Sequence, residues 1–148
     1  MKLILDSSVW IEQLRADALG PVLPRLRERY QLWMSGVVAA EILAGGRSRG
    51  ERRILAGLLA PFRKAGRILA AHPEDLCSAG RALSRLREQG LTLKNPGAAL
   101  LDAVIAMNAV RIGALLVSTN VDDFSKLHSV LPLRFEAWEG FRSGLVAP

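Results

Sequence analysis

Four well-separated places in this sequence combine a carboxylate with an apolar segment. The first is Asp6, which directly follows the apolar run 3–5 and precedes Ser7 and Ser8. In open α/β sheets, ligands bind outside the carboxyl ends of the strands, so an acid at this point is placed for chemistry. Aspartate is also a common cap at the start of a helix. From this segment alone, a catalytic carboxylate and a helix cap are both open interpretations.

Two further acids lie within apolar helical patterns. Glu41 stands in the middle of segment 37–44, which has almost no polar face, and Asp102 is the only charged residue of segment 100–110. An unpaired buried carboxylate is costly, so an inward Glu41 would need a metal, a cation or a proton. The ordinary alternatives are an exposed Glu41 and an Asp102 that stabilises the amino end of its helix.

The fourth place follows the apolar run 114–118, which predicts a fully buried strand. Asn120, Asp122 and Asp123 lie directly after it. As at Asp6, polar and acidic residues lie at the carboxyl end of a predicted strand.

Acids from four separated segments can share one pocket only when cations hold them there, because like charges raise each other's pKa. Oxygen ligands without a histidine or cysteine cluster indicate Mg²⁺ or Mn²⁺ and argue against zinc. Such a site, with one ion or with two ions about 3.5–4 Å apart, activates water and stabilises an in-line phosphoryl displacement. The sequence therefore predicts phosphodiester hydrolysis, with the number of ions left open.

Composition narrows the class of protein. Half of the 148 residues are hydrophobic, which predicts one domain over residues 1–148. A formal charge of +6 and a pI of about 10.4 favour a polyanionic partner such as nucleic acid. The single cysteine, Cys77, excludes an internal disulfide, and we expect it to lie in the core. No stretch approaches the roughly 18 apolar residues of a membrane span, and Asp6 comes too early for a secretory signal, so we expect a cytoplasmic protein.

The hydrophobic pattern predicts elements in the order of a parallel α/β sheet. The predicted strands cover residues 2–5, 31–35, 114–118 and 133–136, with a brief extended link at 68–71. The predicted helices cover residues 9–15, 20–30, 37–44, 54–62, 73–89 and 100–110, and a long loop covers 90–97. The predicted buried stripe of the helix 73–89 consists of Leu76, Ala79, Leu83 and Leu86.

The segment 45–53 between two predicted helices is rich in glycine and arginine. It matches neither a Walker loop nor a dinucleotide-binding fingerprint. Arg47 and Arg49 could contact RNA phosphates beside the acids, or the segment could be an ordinary solvated loop. We favour phosphate contact because the arginines cluster.

Taken together, four short motifs resemble the PIN-domain ribonucleases, and among them the VapC-like toxins of prokaryotic toxin–antitoxin pairs. The motifs lie in order at residues 5–9 (LDSSV), 38–42 (VAAEI), 101–106 (LDAVIA) and 118–124 (STNVDDF). The resemblance implies a three-layer α/β/α sandwich with a central parallel sheet, and Mg²⁺-dependent endonucleolytic cleavage of RNA, with Mn²⁺ able to substitute. It also implies a homodimer and inhibition by a small VapB-like antitoxin whose tail enters the acidic site.

The resemblance further implies roles for six residues. The catalytic, metal-holding acids would be Asp6, Glu41, Asp102 and Asp123. The supporting polar groups would be Ser8 and Asn120. Members of the family differ in where the fourth acid falls, and the earlier of the two slots here holds the uncharged Asn120. We assign Asp123 rather than Asp122 because Asp123 directly precedes Phe124.

Two other functional classes remain open. The first is a catalytically silent PIN module that only binds RNA or a protein, although an intact set of acids argues against it. The second is a phosphohydrolase that uses Asp6 as a covalent nucleophile. Such enzymes usually place a second aspartate two residues later, where this chain has Ser8, and a lysine late in the fold.

Overall fold

The computed structural model describes residues 1–146, and its centre is a five-stranded sheet. The strands pair in the order β3-β2-β1-β4-β5, and every neighbouring pair is parallel. They are β1 (Lys2–Leu5), β2 (Gln31–Ser35), β3 (Ile68–Leu69), β4 (Leu115–Ser118) and β5 (Arg134–Ala137). Helices connect successive strands and flank the sheet, so the predicted α/β/α sandwich with a central parallel sheet is confirmed.

Eight helices lie within the described residues. They are α1 (Ser7–Arg15), α2 (Leu19–Arg29), α3 (Gly36–Ala44), α4 (Arg49–Lys64), α5 (Pro73–Glu88), α6 (Ala99–Ile112), α7 (Val121–Val130) and α8 (Trp138–Val146). Among residues 1–146, no helix combines the length and the apolar character that a membrane crossing requires. Residues 147 and 148 lie outside the described part of the chain, so the single domain over 1–148 stays a prediction.

The two inner strands β1 and β4 bring the ends of distant segments together. Helices cover the sheet, so both strands are almost continuously apolar and buried, as is typical of parallel sheets. Leu5 is paired with Val117, and the backbone N–H of Asp6 donates a hydrogen bond of 2.9 Å to the Val117 carbonyl. The carboxyl ends of β1 and β4 therefore lie side by side at one edge of the sheet.

Several boundaries differ from the predicted ones. Helix α4 begins at Arg49, five residues earlier than predicted, because Ser48 and Glu51 form a reciprocal capping box. The extended link after α4 is a true edge strand, in which Ile68 is paired with Met34. Helices α7 and α8 lie outside the predicted helical segments.

The buried face of α5 also differs from the predicted stripe. Leu76 is 47% exposed and Cys77 is exposed, so the prediction that both are buried is wrong. The prediction is confirmed at Ala79 and Leu86, while Leu83 is only partly buried. The buried residues of α5 are Asp75, Ala79, Ala82 and Leu86. A buried aspartate is not expected in an apolar stripe, and the hydrogen-bond partners that stabilise Asp75 there come from other elements.

A buried polar network holds Asp75 against α6. Its carboxylate accepts hydrogen bonds from Asn108 Nδ2 (3.1 Å), from Arg111 Nε (3.1 and 3.2 Å) and from the backbone N–H of His72 (3.0 Å). Asn108 Oδ1 in turn accepts a hydrogen bond of 2.8 Å from Ser35 Oγ, at the start of α3. The network therefore joins α5, α6 and the end of β2, and it satisfies the charge that Asp75 buries.

Replacement of Asp75 by alanine should destabilise the fold by about 3 kcal/mol, because it leaves Asn108 and the partly buried Arg111 without their acceptor. Urea denaturation of the purified variants measures this change. Glu74→Ala is the matched control, since Glu74 is an exposed acid of the same helix turn that pairs only with Arg81 and Ser78 among the described residues. Equal stability losses in the two variants would contradict the structural role of Asp75.

Candidate active site

Asp6 lies at the carboxyl end of the central strand β1 and is only 4% exposed. It stands at the position that precedes α1, but its side chain makes no capping hydrogen bond with that helix. Its Oδ2 atom instead accepts hydrogen bonds from Ser8 Oγ (2.7 Å) and Ser118 Oγ (2.8 Å). The alternative in which the Asp6 carboxylate serves as a helix cap is therefore wrong.

The two serine hydroxyls are themselves fixed by the backbone. Ser8 Oγ accepts a hydrogen bond from the N–H of Thr119 (3.2 Å), and Ser118 Oγ accepts one from the N–H of Asn120 (2.9 Å). Each hydroxyl thus accepts a hydrogen bond from a backbone N–H and donates one to Asp6. Ser118 was missed in the sequence analysis. Its place as the last residue of β4 was a usable signal, because parallel strands end at the same edge.

Glu41 lies in the middle of α3 and is half-buried. Burial is the main cause that raises the pKa of its carboxyl group, and the nearby Asp6 charge raises that pKa further, while a hydrogen bond with the Ser7 side chain lowers it. Its Oε2 atom is buried without a hydrogen-bond partner among the described residues. Glu41 therefore faces the protein interior and the Asp6 side, rather than forming an exposed stripe of α3.

Asp102 lies in the first turn of α6 and is also half-buried. Burial raises the pKa of its carboxyl group to about 7, with further contributions from the charges of Asp6, Glu41 and Asp123. The carboxylates from β1, α3, α6 and α7 are thus close enough to act on one another. The structure brings the four predicted acids into one electrostatic cluster.

Asp123, in the first turn of α7, is 2% exposed and has both oxygens engaged. Oδ1 accepts a hydrogen bond of 2.8 Å from the backbone N–H of Lys94, and Oδ2 accepts one of 3.1 Å from Asn120 Nδ2. Asp122 turns away from the cluster and forms an ion pair of 2.6 Å with Lys126. Of the two neighbouring aspartates, Asp123 is therefore the one that lies with the other acids.

The donor atoms of this cluster suit a hard divalent cation. Only carboxylate and hydroxyl oxygens converge, the Oε2 atom of Glu41 is buried and unpaired, and the serine bonds leave Oδ1 of Asp6 available. Across residues 1–146, however, no three Asp, Glu, His or Cys side chains stand in the arrangement of a metal site. The two oxygens of Asp123 are directed to Lys94 and Asn120.

The two arginines predicted to contact phosphate lie apart from this cluster. The backbone N–H of Arg47 donates to Glu51 Oε2 (2.7 Å), and this hydrogen bond is the main cause that lowers the pKa of that carboxyl group. Arg49 is the exposed first residue of α4. Within the described residues, neither arginine forms a hydrogen bond or an ion pair with the four acids. Two cations that the sequence analysis missed, Lys94 and Lys126, lie closer.

A family model described as the PIN domain matches residues 3–129. The chain belongs to the PIN-domain family. The matched range contains all four acids of the cluster and strands β2, β3 and β4, and it begins within β1. No curated protein sequence matches the chain.

Solved structures of bacterial complexes have the same fold. VapBC2 from Rickettsia felis, bound to a DNA fragment from its promoter, aligns with a TM-score of 0.68 at 22% identity, over 93% of this chain and 99% of the other. VapBC-1 from nontypeable Haemophilus influenzae gives 0.63 at 24% identity, over 94% and 99%. VapBC-5 of Mycobacterium tuberculosis, from the VapBC family of toxin-antitoxin systems, gives 0.59 at 20% identity, over 92% and 96%. At these identities the likeness establishes the fold of this PIN domain.

Asp102→Asn should raise the melting temperature of the metal-free protein at pH 8 and leave it nearly unchanged at pH 4. The raised pKa of about 7 means that the folded protein binds this proton more tightly than the unfolded chain does. The contribution of Asp102 to the stability of the fold is therefore fully present below pH 4 and is lost as the pH rises towards 7. Asparagine does not ionise, so the variant does not lose this stability. Thermal melts in EDTA across this pH range measure the difference.

Asp122→Asn is the matched control for this titration. The hydrogen bond from Lys126 lowers the pKa of the exposed Asp122 carboxyl group, so removal of this carboxylate should give no stabilisation at pH 8. A gain in melting temperature for Asp102→Asn that is equal at pH 4 and pH 8 would refute the electrostatic coupling of the cluster.

Proposed function

We propose that this PIN domain is a metal-dependent endoribonuclease and the toxin of a toxin–antitoxin pair. The observation that supports the proposal best is the convergence of Asp6, Glu41, Asp102 and Asp123 at one edge of the sheet. Each acid comes from a different part of the fold, and burial, together with the charges of the other three acids, raises the pKa of Asp102. A cluster that weakens the fold in this way is best explained by a cationic ligand that it serves.

The four acids would hold the ion, which we expect to be Mg²⁺, with Mn²⁺ able to replace it. When bound, this ion would lower the pKa of a water molecule and neutralise charge that develops on the phosphate. Ser8 and Ser118 keep the Asp6 carboxylate in one orientation through Oδ2. Asn120 and the Lys94 backbone do the same for Asp123, which would therefore reach the ion directly only after a shift, or through water.

RNA fits the charge of the protein as a whole. A formal charge of +6 favours binding to a polyanion, while the acid cluster is a local negative region whose charge a bound ion would offset. Arg47 and Arg49, both exposed, would contact phosphates of the RNA outside this centre.

The structural relatives support an antitoxin as a partner of this chain. The R. felis and H. influenzae structures are VapBC complexes, and the M. tuberculosis complex is described as a toxin-antitoxin system. We propose for this chain a VapB-like antitoxin whose tail enters the acidic site, and a homodimer as the assembled toxin. A chain that cleaves RNA would act in the cytoplasm, where its substrate is found.

The direct test incubates the purified chain with a mixed pool of structured RNAs in Mg²⁺, in Mn²⁺ and in EDTA. Fragments should form with either metal and disappear in EDTA. Asp6→Asn should lower the cleavage rate at least about 100-fold while the melting temperature stays close to that of the wild type, because asparagine keeps the shape but loses the charge that binds the ion.

The control for this test is Asp17→Asn. Asp17 is exposed, its side chain forms no hydrogen bond or ion pair among the described residues, and it has a positive φ of 51° that asparagine also adopts readily. It should cleave like the wild type. Full activity of Asp6→Asn would refute the assignment of the site, and a folded wild-type chain, freed of antitoxin, that cuts no RNA would favour the silent module.

A further inference from the structure

Two lysines lie beside the fourth acid of the cluster, and they differ in how their charge is used. Lys126, on α7, places Nζ 2.6 Å from Asp122 Oδ2, 3.0 Å from the Thr92 carbonyl and 3.8 Å from Asp123 Oδ1. Its side chain is 23% exposed. The first two of these contacts are hydrogen bonds, and the third is an electrostatic contact only. Lys126 therefore holds the loop 89–98 against α7, and its largely enclosed ammonium group is directed to the two aspartates.

Lys94 contacts Asp123 through its backbone, and its ammonium group is not used in that contact. Its N–H donates to Asp123 Oδ1 at 2.8 Å, which fixes its main chain at the edge of the acid cluster. Its side chain is 71% exposed, and Nζ lies 4.0 Å from Asp122 Oδ2, beyond hydrogen-bond distance. Within residues 1–146, the ammonium group of Lys94 makes no hydrogen bond.

Breaking the ion pair between Lys94 and Asp122 would cost little free energy. Asp122 already has a closer partner in Lys126, and both of its lysine contacts are at the surface, where a pair of charges contributes little. Departure of Lys94 therefore leaves neither a buried charge nor an unpaired carboxylate behind. The lysine is free to turn towards a phosphate that approaches the cluster.

We propose that Lys94 is a substrate-binding residue, whose ammonium group contacts a phosphate of the RNA next to the bond that is cut. This inference rests on the proposed nuclease function. An RNA backbone carries several charges into the site, while the ion held by the acids meets only the phosphate that reacts. The neighbouring phosphate needs a cation at the rim, and among the described residues Lys94 is the cation whose main chain is fixed at Asp123 and whose donors are unused.

The test measures RNA binding in an Asp6→Asn background, so that the RNA stays intact. Lys94→Ala should weaken binding roughly 3- to 10-fold at low salt, and the slope of log affinity against log salt should fall by about 0.7, the value for one phosphate contact to a single strand. Lys94→Arg should restore most of the affinity. All three proteins should melt at the same temperature, since alanine and arginine both keep the N–H that binds Asp123.

Lys64→Ala is the matched control. Lys64 is an exposed lysine at the end of α4, just before β3 begins, so it lies at the edge of the sheet opposite the acids. Its loss removes the same net charge and should change the affinity and the salt slope much less than the loss of Lys94. Equal effects of the two alanine variants would reduce Lys94 to a contributor to overall charge and overturn the proposal.

The remaining outcomes separate this inference from the nuclease function. If the wild type cleaves RNA and Lys94→Ala binds it with the parent's affinity and salt slope, Lys94 is not a phosphate contact, and the proposed function stands. If Lys94→Ala melts at a lower temperature and arginine does not restore binding, the residue is structural. If the wild type neither binds nor cleaves RNA in Mg²⁺, the proposed function fails and this inference fails with it.

Discussion

The buried carboxylate of Asp6 is the group on which the rest of this molecule depends. It ends the central strand, is almost fully enclosed, and would be costly there without donors directed at it. Two serine hydroxyls supply those donors, one from the helix that follows β1 and one from the end of β4. Because Ser118 lies 112 residues from Asp6, the bond exists only while β1 and β4 are paired in their observed register. Formation of the sheet and formation of the site are the same event.

Glu41 and Asp102 show the opposite balance, since the fold holds them where their carboxyl groups are not fully satisfied. Glu41 keeps a buried oxygen without a partner, and Asp102 is pushed by burial and by its acidic neighbours towards protonation near neutral pH. Natural proteins break the rules of polar satisfaction mainly where function requires it. A cation would relieve both defects at once, and this is the physical argument for the proposed metal.

The scaffold compensates for these defects elsewhere. The network of Ser35, Asn108, Asp75 and Arg111 satisfies every buried charge it contains and ties the helix that carries Asp102 to the start of the helix that carries Glu41. It lies beside the site and shares no residue with the acid cluster. One polar region is thus arranged for stability and the other for chemistry, and the same two helices belong to both.

Apart from the role of Ser8 and the choice of Asp123 over Asp122, which the family resemblance implied, the sequence by itself indicated the inner strands, most of the helices, and candidate acids in four separated places. These features follow from local patterns: apolar runs of strand length, helical periodicity, and polar residues directly after a strand. Their catalytic and metal-binding roles remain part of the proposal. The predictions that required knowledge of a partner were less successful. The predicted buried face of α5 was wrong because Asp75 points inward only when Arg111 and Asn108 are present. Strand β3 has only two residues, which become a strand by pairing with β2.

Only the tertiary structure decided which side chains meet. It directed Asp123 into the cluster and Asp122 outward, and it placed Ser118 on Asp6. It also left Arg47 and Arg49 without contact to the acids while fixing the backbone of Lys94 at the rim. Each of these outcomes depends on a hydrogen bond or charge between residues far apart in the chain, and such pairings are set by strand register and helix packing, which no local pattern encodes.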